Sequence, residues 1–318
     1  MMDHKIEVVG SDFEEFATSN ALLVDKTEFI NALIENGDKV LLITRPRRWG
    51  KTLNMTMCQY FFSIPVHKDG TQDDEEYLKR KNVFSRMAIG DYPNTLKEYL
   101  GRVPTIFISF KGIKGSTYES IEMGVRDLIY MLYAKHEYLI SSDRLSESQK
   151  RLFKKFLTKE FDLSELNSSL LYLSEMLYIH FDHKVMILID EYDTPLNDWY
   201  AKQLEQGSYV KEDTEYVQDV LNLFKNIFGS ALKDNTYLKK GIVTGILRIA
   251  KASLFSGLNN LGEDSILDND CSKYFGFTER DINTLLHATK MIDNPEILPS
   301  LKSWYNGYSI GGITIYNP

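Results

Sequence analysis

Residues 40 to 52 read VLLITRPRRWGKT, an apolar run followed by a loop that ends in Gly50-Lys51-Thr52. This layout is typical of a phosphate-binding loop, in which backbone N–H groups face the phosphates, a Lys reaches them and a Thr hydroxyl holds Mg²⁺. The usual pattern G-x-x-x-x-G-K-[ST] places its first Gly where this chain has Arg45, and Pro46 then removes an N–H. The helical pattern of residues 53 to 62 favours a nucleotide site over the alternative, a basic surface turn.

A second motif follows residues 185 to 189, VMILI, which are continuously apolar and indicate a parallel strand buried on both faces. The run ends in Asp190-Glu191. In nucleotide sites the first carboxylate of such a pair helps to hold Mg²⁺, and the adjacent Glu orients or deprotonates the attacking water. A solvated strand end is the alternative. Because ligands of open α/β sheets bind at the carboxyl ends of strands, both motifs predict one site with Thr52 and Asp190 as metal ligands.

Strand and helix patterns alternate along the rest of the chain. Further strands are predicted at residues 104–110 and 239–247, and helices at residues 26–36, 116–133, 145–161, 164–179 and 214–232. Residues 67–77 contain the acidic run Asp73 to Glu76 and are predicted to be a solvated loop. The alternation predicts a three-layer α/β sandwich with a mostly parallel sheet. An extra strand between the two motifs is the arrangement of the ATPase branch of P-loop proteins.

Candidate catalytic residues follow the predicted strand at residues 239–247. Thr244 would contact the γ-phosphate or its attacking water, or it is a Thr that merely fits a strand. Arg248 is the candidate cation for the transition-state charge, the alternative being a surface Arg. Asp193, close after Glu191, would orient a basic residue or join the metal shell.

The loop itself carries the candidate phosphate ligands. Lys51 and the backbone near Gly50 are predicted to hold phosphate, and Arg45 with Arg47 or Arg48 would replace the missing Gly by donating charge-assisted hydrogen bonds. Trp49 packs either over the nucleotide base or against the sheet, and the sequence leaves both open.

Composition limits the class of protein. The chain has 318 residues, of which 43% are hydrophobic and 26% charged, so a large core is expected and disorder is not. The net charge of −8 disfavours broad attachment to nucleic acid, although the basic loop is a local exception. No apolar run of membrane-spanning length and no signal-like segment is present, so a cytoplasmic protein without membrane segments is predicted.

Three segments are expected along the chain. Residues 1–22 form a polar lead-in, residues 23–270 the P-loop domain, and residues 271–318 the start of a small C-terminal helical or lid subdomain. Thr278 is the predicted N-cap of a helix at residues 279–287 in that subdomain. The ending Asn317-Pro318 is interpreted as a truncation before a further domain.

Six segments resemble the bacterial AAA-ATPase-like proteins: residues 23–27 (LVDKT), 44–52 (TRPRRWGKT), 188–195 (LIDEYDTP), 244–251 (TGILRIAK), 255–260 (FSGLNN) and 304–308 (WYNGY). The resemblance implies a P-loop ATPase fold, and within that family Arg-Pro-Arg-Arg-aromatic-Gly-Lys-Thr is the normal loop. It also implies that a nuclease-like domain of the PD-(D/E)XK type commonly follows.

The expected function is therefore Mg²⁺-dependent ATP binding with slow hydrolysis, in which Glu191 activates water. One alternative is a nucleotide-dependent switch or scaffold without turnover. Another is an accessory module for nucleic-acid processing, reached through a missing C-terminal nuclease-like domain. Self-association is compatible with each of these.

Overall fold

A parallel sheet forms the centre of the computed structural model, which describes residues 10–19, 21–205, 215–246, 255, 261–268, 270–294, 296–305, 307–310 and 312–317. Within these residues the sheet has five strands: β1 (Val40–Thr44), β2 (Thr105–Ser109), β3 (Val185–Asp190), β4 (Leu238–Gly245) and β5 (Leu261–Asp264). Their order is β2-β3-β4-β1-β5. Because β4 pairs with both β1 and β3, it separates the loop strand from the acidic-motif strand. The predicted ATPase-branch arrangement is thereby confirmed.

Helices cover both faces of the sheet. They are α1 (Phe13–Thr18), α2 (Glu28–Glu35), α3 (Lys51–Phe62), α4 (Asp74–Phe84), α5 (Pro93–Tyr99), α6 (Tyr118–Lys135), α7 (Glu147–Thr158), α8 (Leu163–Asn167), α9 (Ser169–Phe181), α10 (Thr194–Glu205) and α11 (Glu215–Leu232). Alternate residues of β3 enter two different cores: Ile187 packs with α6, α9 and α11, whereas Leu188 packs with α2 and α3. A strand buried on both faces is why its sequence is continuously apolar. The predicted three-layer sandwich is confirmed.

The acidic run at residues 73–76 departs from its prediction as a solvated loop. Asp73 is the N-cap of α4, where its side chain accepts a hydrogen bond from the Glu76 N–H, and the next three acidic residues form the first helical turn. Negative side chains are favourable there because they oppose the positive end of the helix dipole. The loop prediction was wrong for this half of the segment.

A unit of helices and strands follows the main sheet from residue 271 onward and is called the C-terminal unit. It contains α12 (Glu279–Ala288), α13 (Ile297–Tyr305) and the antiparallel strands β6 (Phe277–Thr278), β7 (Tyr308–Ile310) and β8 (Ile313–Tyr316), in the order β6-β8-β7. Thr278 caps α12 in a capping box with Asp281, as predicted. Ile315 of β8 belongs to the same hydrophobic core as residues of α2 and α3, so the unit packs against the face of the sheet that these two helices cover. None of the described helices is long and apolar enough to cross a membrane.

Candidate nucleotide site

The loop between β1 and α3 turns through two left-handed residues, Arg48 with φ 66° and Gly50 with φ 76°. Glycine adopts this conformation without steric cost, which explains its position directly before the helix. Gly50 is the N-cap of α3 and supplies no capping side chain. The backbone N–H groups of the first turn of α3 are therefore suited to bind an anion.

Lys51 begins α3 and is 5% exposed. Its ammonium donates hydrogen bonds to the carbonyl oxygens of Arg45 at 3.0 Å and Pro46 at 2.8 Å. Burial lowers the pKa of Lys51, while the nearby carboxylates of Glu191 and Asp190 oppose this shift. The cation is thus held inside the loop and close to the acidic motif.

Asp190, at the end of β3, is the centre of the site and is fully buried. Its carboxylate accepts hydrogen bonds from the hydroxyls of Thr244 at 2.6 Å, Thr52 at 2.9 Å and Ser109 at 3.3 Å. The four side chains come from β3, β4, α3 and β2. The parallel sheet therefore brings together residues that are far apart in the sequence, and the most distant two, Thr52 and Thr244, are separated by 192 positions. The structure thereby joins three of the residues singled out in the sequence.

The chemistry of this cluster fits Mg²⁺, which binds hard oxygen ligands such as carboxylate, hydroxyl and water. No Lys, Arg or His among the described residues forms an ion pair with Asp190. In the described bonds the buried carboxylate accepts only from neutral hydroxyls, and carboxylate and hydroxyl oxygens together form a donor set that suits a magnesium ion.

Glu191 follows Asp190 in a left-handed conformation with φ 51°. Its carboxylate accepts a hydrogen bond from the Thr194 hydroxyl at 3.3 Å, where α10 begins. Among the carboxylates that oppose the lowering of the Lys51 pKa by burial, that of Glu191 acts most strongly. This location is compatible with the predicted role in activating water.

The segment after the acidic motif is packed against the end of β4. The N–H of Tyr192 donates to the carbonyl of Thr244 at 3.2 Å, and Asp193 accepts from the N–H of Ile246 at 2.8 Å. A side chain at Gly245 would collide with the Tyr192 ring, so only glycine permits this approach. Asp193 therefore binds the backbone of the residue that directly follows β4. The candidate cation Arg248 lies outside the described residues.

The four predicted ligands that precede Gly50 occupy different environments. Arg47 and Arg48 are exposed beside the loop. Arg45 is fully buried, and its guanidinium pairs with Asp264. This placement does not support the direct phosphate contact that the sequence suggested for Arg45.

Trp49 had two alternatives in the sequence, the nucleotide base or the protein interior. Its ring is 2% exposed and lies 5.5 Å from the ring of Tyr308 in β7, in an edge-to-face arrangement. Its carbonyl accepts a hydrogen bond from the N–H of Gly276 at 3.3 Å. Trp49 thus attaches the loop to the C-terminal unit.

Ser109 and Asp264 are the polar residues of this region that sequence reasoning missed. Ser109 is the last residue of a predicted strand, so the rule that ligands gather at carboxyl ends could have found it. Asp264 ends the short run LGED, which has little strand signal. Its partner Arg45 is 219 positions away.

Comparison with known proteins identifies a family for this chain. A family model described as "Predicted AAA-ATPase" matches residues 8–255. The chain belongs to this family. Among curated proteins, this AAA-ATPase-like chain is similar to the "Uncharacterized protein in vnfD 5'region" of Azotobacter chroococcum mcd 1, with 24% identity over 297 residues. The match covers 93% of this chain and 46% of that relative, so the chain spans less than half of the relative's length. No solved structure matches.

Family membership supports nucleotide binding as the general role of the AAA-ATPase-like domain and confirms the resemblance found in the sequence. The model covers both nucleotide motifs and β4, which carries Thr244.

Proposed function

We propose that this AAA-ATPase-like chain binds ATP with Mg²⁺ and hydrolyses it slowly. The observation that carries the proposal is the arrangement around Asp190, whose carboxylate joins the hydroxyls of Thr52 and Thr244 while Lys51 lies in the adjoining loop. A metal ligand, its carboxylate partner and a phosphate-binding cation are the parts that phosphoryl transfer requires.

Each residue has a defined task in this proposal. The first-turn amides of α3 and the ammonium of Lys51 bind the β- and γ-phosphates. Thr52 and Asp190 would hold Mg²⁺, which supplies charge to neutralise the phosphate oxygens. Thr244 keeps the Asp190 carboxylate oriented, and Glu191 accepts a proton from the attacking water.

Cations around the loop complete the proposed site. The exposed guanidinium groups of Arg47 and Arg48 are available for charge-assisted bonds to phosphate. Arg248 remains the proposed source of transition-state charge. We also propose a cytoplasmic location.

Lys51→Ala tests the binding step. Loss of the cation should weaken ATP binding by about 100-fold, because a preformed phosphate site loses a charged donor. Calorimetric titration of both variants against ATP and Mg²⁺ measures this. Lys240→Ala is the matched control, since Lys240 is also buried and also donates to a backbone carbonyl, that of Asn36 at 2.6 Å. Equal ATP affinity in wild type and Lys51→Ala would end the proposal.

Glu191→Gln tests the hydrolysis step. The amide preserves the shape of the side chain but lacks the basicity needed to activate water, so ATP should bind while phosphate release stalls. Steady-state phosphate release, with and without DNA or RNA, is the measurement. Unchanged turnover would remove Glu191 from the mechanism.

A nucleotide-dependent switch is the second candidate function, and the attachment of the loop to the C-terminal unit favours it. Besides the Trp49 contacts, the Asn54 side chain on α3 donates to the carbonyl of Tyr274 at 2.9 Å. Wild-type protein that binds ATP but releases no phosphate under any of these conditions would favour the switch over the enzyme.

A further inference from the structure

We infer that Arg45 is a positioning residue that fixes the phosphate loop to the sheet through its ion pair with Asp264. Arg45 stands at the position that the first Gly occupies in the general loop pattern. The inference rests on the proposed function for its consequence in ATP binding. In this inference Arg45 does not contact phosphate. Asp264 serves as the ion-pair partner that fixes Arg45, a role that its sequence context did not indicate.

The guanidinium of Arg45 is enclosed by fixed partners. One terminal nitrogen donates to the carbonyls of Thr44 at 2.9 Å and Asp264 at 3.0 Å, and the other pairs with the Asp264 carboxylate. The group also lies over the ring of Phe275, 5.1 Å from its centroid. A planar guanidinium with several directed donors is suited to hold several groups in one geometry.

Asp264 is fixed as well. Its second carboxylate oxygen accepts a hydrogen bond from the N–H of Cys271 at 2.9 Å, and β5 pairs with β1 immediately before the loop. Both members of the ion pair are almost inaccessible, with side-chain exposures of 0% and 3%. The anchor is therefore built into the sheet and does not depend on mobile surface groups.

The anchor acts on the atoms that hold Lys51. The Arg45 N–H donates to the carbonyl of Gly245 at 3.1 Å, while the Arg45 carbonyl accepts a hydrogen bond from the Lys51 ammonium. With its N–H and its side chain both held, Arg45 presents its carbonyl in one direction. Lys51 consequently has a defined resting position before phosphate replaces it, and such preorganisation lowers the cost of binding.

The backbone explains why Gly is not needed at position 45. The left-handed residues of this loop are Arg48 and Gly50, and Arg45 is not among the residues with positive φ. The conformational freedom of glycine therefore has no use at Arg45. A side chain is tolerated there, and it serves as an anchor.

The test compares wild type with the double variant Arg45→Met/Asp264→Leu. The double variant removes both charges at similar volume, and such replacements of buried ion pairs often preserve stability. Hydrogen exchange of residues 44–52 in ATP-free protein reports the loop, thermal unfolding reports the fold, and calorimetry reports ATP affinity. If the anchor positions the loop, the double variant keeps its Tm, yet its loop amides exchange about tenfold faster and its Kd for ATP rises about tenfold.

Two further variants provide controls. Lys26→Met breaks a different, less buried ion pair, with Asp281, and should lower Tm without changing exchange in the loop. Arg45→Lys keeps the charge and should restore part of the loop protection. Loop exchange and ATP affinity equal to wild type in the double variant would overturn the inference and leave the pair a purely structural element.

The exchange measurement also separates the two proposals. If wild-type protein fails to bind ATP, the proposed function fails, while faster loop exchange in the double variant still supports the anchor. If ATP binds normally and exchange is unchanged, the anchor fails and the proposed function stands.

Discussion

Two buried aspartates lie at the same edge of the central sheet and have opposite surroundings. Asp264, at the end of β5, is paired with the guanidinium of Arg45 and with a backbone N–H. Asp190, at the end of β3, accepts three hydroxyl hydrogen bonds and has no ion pair among the residues described. Both side chains are withdrawn from solvent to a similar degree.

The difference in partners distinguishes a structural aspartate, Asp264, from the proposed metal ligand, Asp190. A carboxylate whose charge is already balanced by a buried cation has nothing left to offer a ligand. A carboxylate that accepts only from neutral hydroxyls has no directly paired cation, so its oxygens are still able to bind a metal ion. Burial alone therefore does not distinguish the proposed metal ligand Asp190 from Asp264. Their hydrogen-bond and ion-pair partners do.

The largest effect is expected for Asp264→Ala, which leaves the Arg45 guanidinium buried without its counter-ion. The free energy of unfolding should fall by about 3–5 kcal/mol, as measured when one partner of a buried pair is removed. Urea unfolding of wild type and variant measures the loss. A change below about 1 kcal/mol would mean that water reaches Arg45 and that the two aspartates differ less than their contacts indicate.

Asp190→Asn should behave in the opposite way. Removing a buried carboxylate that has no ion-pair partner among the described residues should leave the free energy of unfolding unchanged or raise it when no metal is present, because the amide keeps the shape of the side chain. The same variant should lose the tightening of ATP binding by Mg²⁺, about tenfold or more. Unfolding in chelator and calorimetry with and without Mg²⁺ test both halves. If Asp190→Asn destabilised the protein as much as Asp264→Ala, the proposed difference between the two aspartates would be contradicted.

A smaller effect is expected for Thr244→Val, which removes one hydroxyl from Asp190 without changing the size of the side chain. Loss of this buried hydrogen bond should cost about 1–2 kcal/mol and reduce phosphate release more than ATP affinity. Thr105→Val is the control, because the Thr105 hydroxyl donates to the Val103 carbonyl at the amino end of β2, away from Asp190. An equal loss of turnover in both variants would indicate a general packing effect.

The smallest effect concerns pH and Lys51. Burial lowers the pKa of the free ammonium, and bound phosphate should raise it again, so ATP binding should take up protons. The affinity for ATP should therefore fall, by less than about tenfold, as the pH rises toward the usual pKa of a lysine side chain. Calorimetry in buffers of different ionisation enthalpy detects the uptake. Lys51→Arg should flatten the dependence, because guanidinium does not titrate in this range.

The parts of the fold that sequence predicted share one property, namely strong local patterns. The apolar runs of β1 and β3 predicted buried strands, and both are fully buried. Their C-terminal motifs then predicted the meeting of Thr52 and Asp190, because parallel strands present their carboxyl ends at one edge. Thr278 as a helix N-cap was predictable for the same reason, since capping is a local interaction.

The parts that sequence missed depend on distant partners or on competing patterns. The pair of Arg45 and Asp264 joins residues from opposite ends of the main sheet's sequence, and no local pattern reports such a contact. The acidic run after Asp73 was misread because its charge outweighed its helix-start signal, an Asp followed by Glu three residues later. The antiparallel strands β6 and β7 beside the two C-terminal helices are too short for a reliable pattern.

The left-handed backbone of Glu191 has a consequence for laboratory evolution. An L-residue with a side chain in this conformation is less stable than glycine by about 1 kcal/mol, so Glu191→Gly should relieve backbone strain while deleting the proposed base. A selection that rewards only heat resistance would therefore tend to discard this carboxylate, and one that rewards nucleotide turnover would retain it. The residue that accumulates at position 191 under each regime would report which property the position serves.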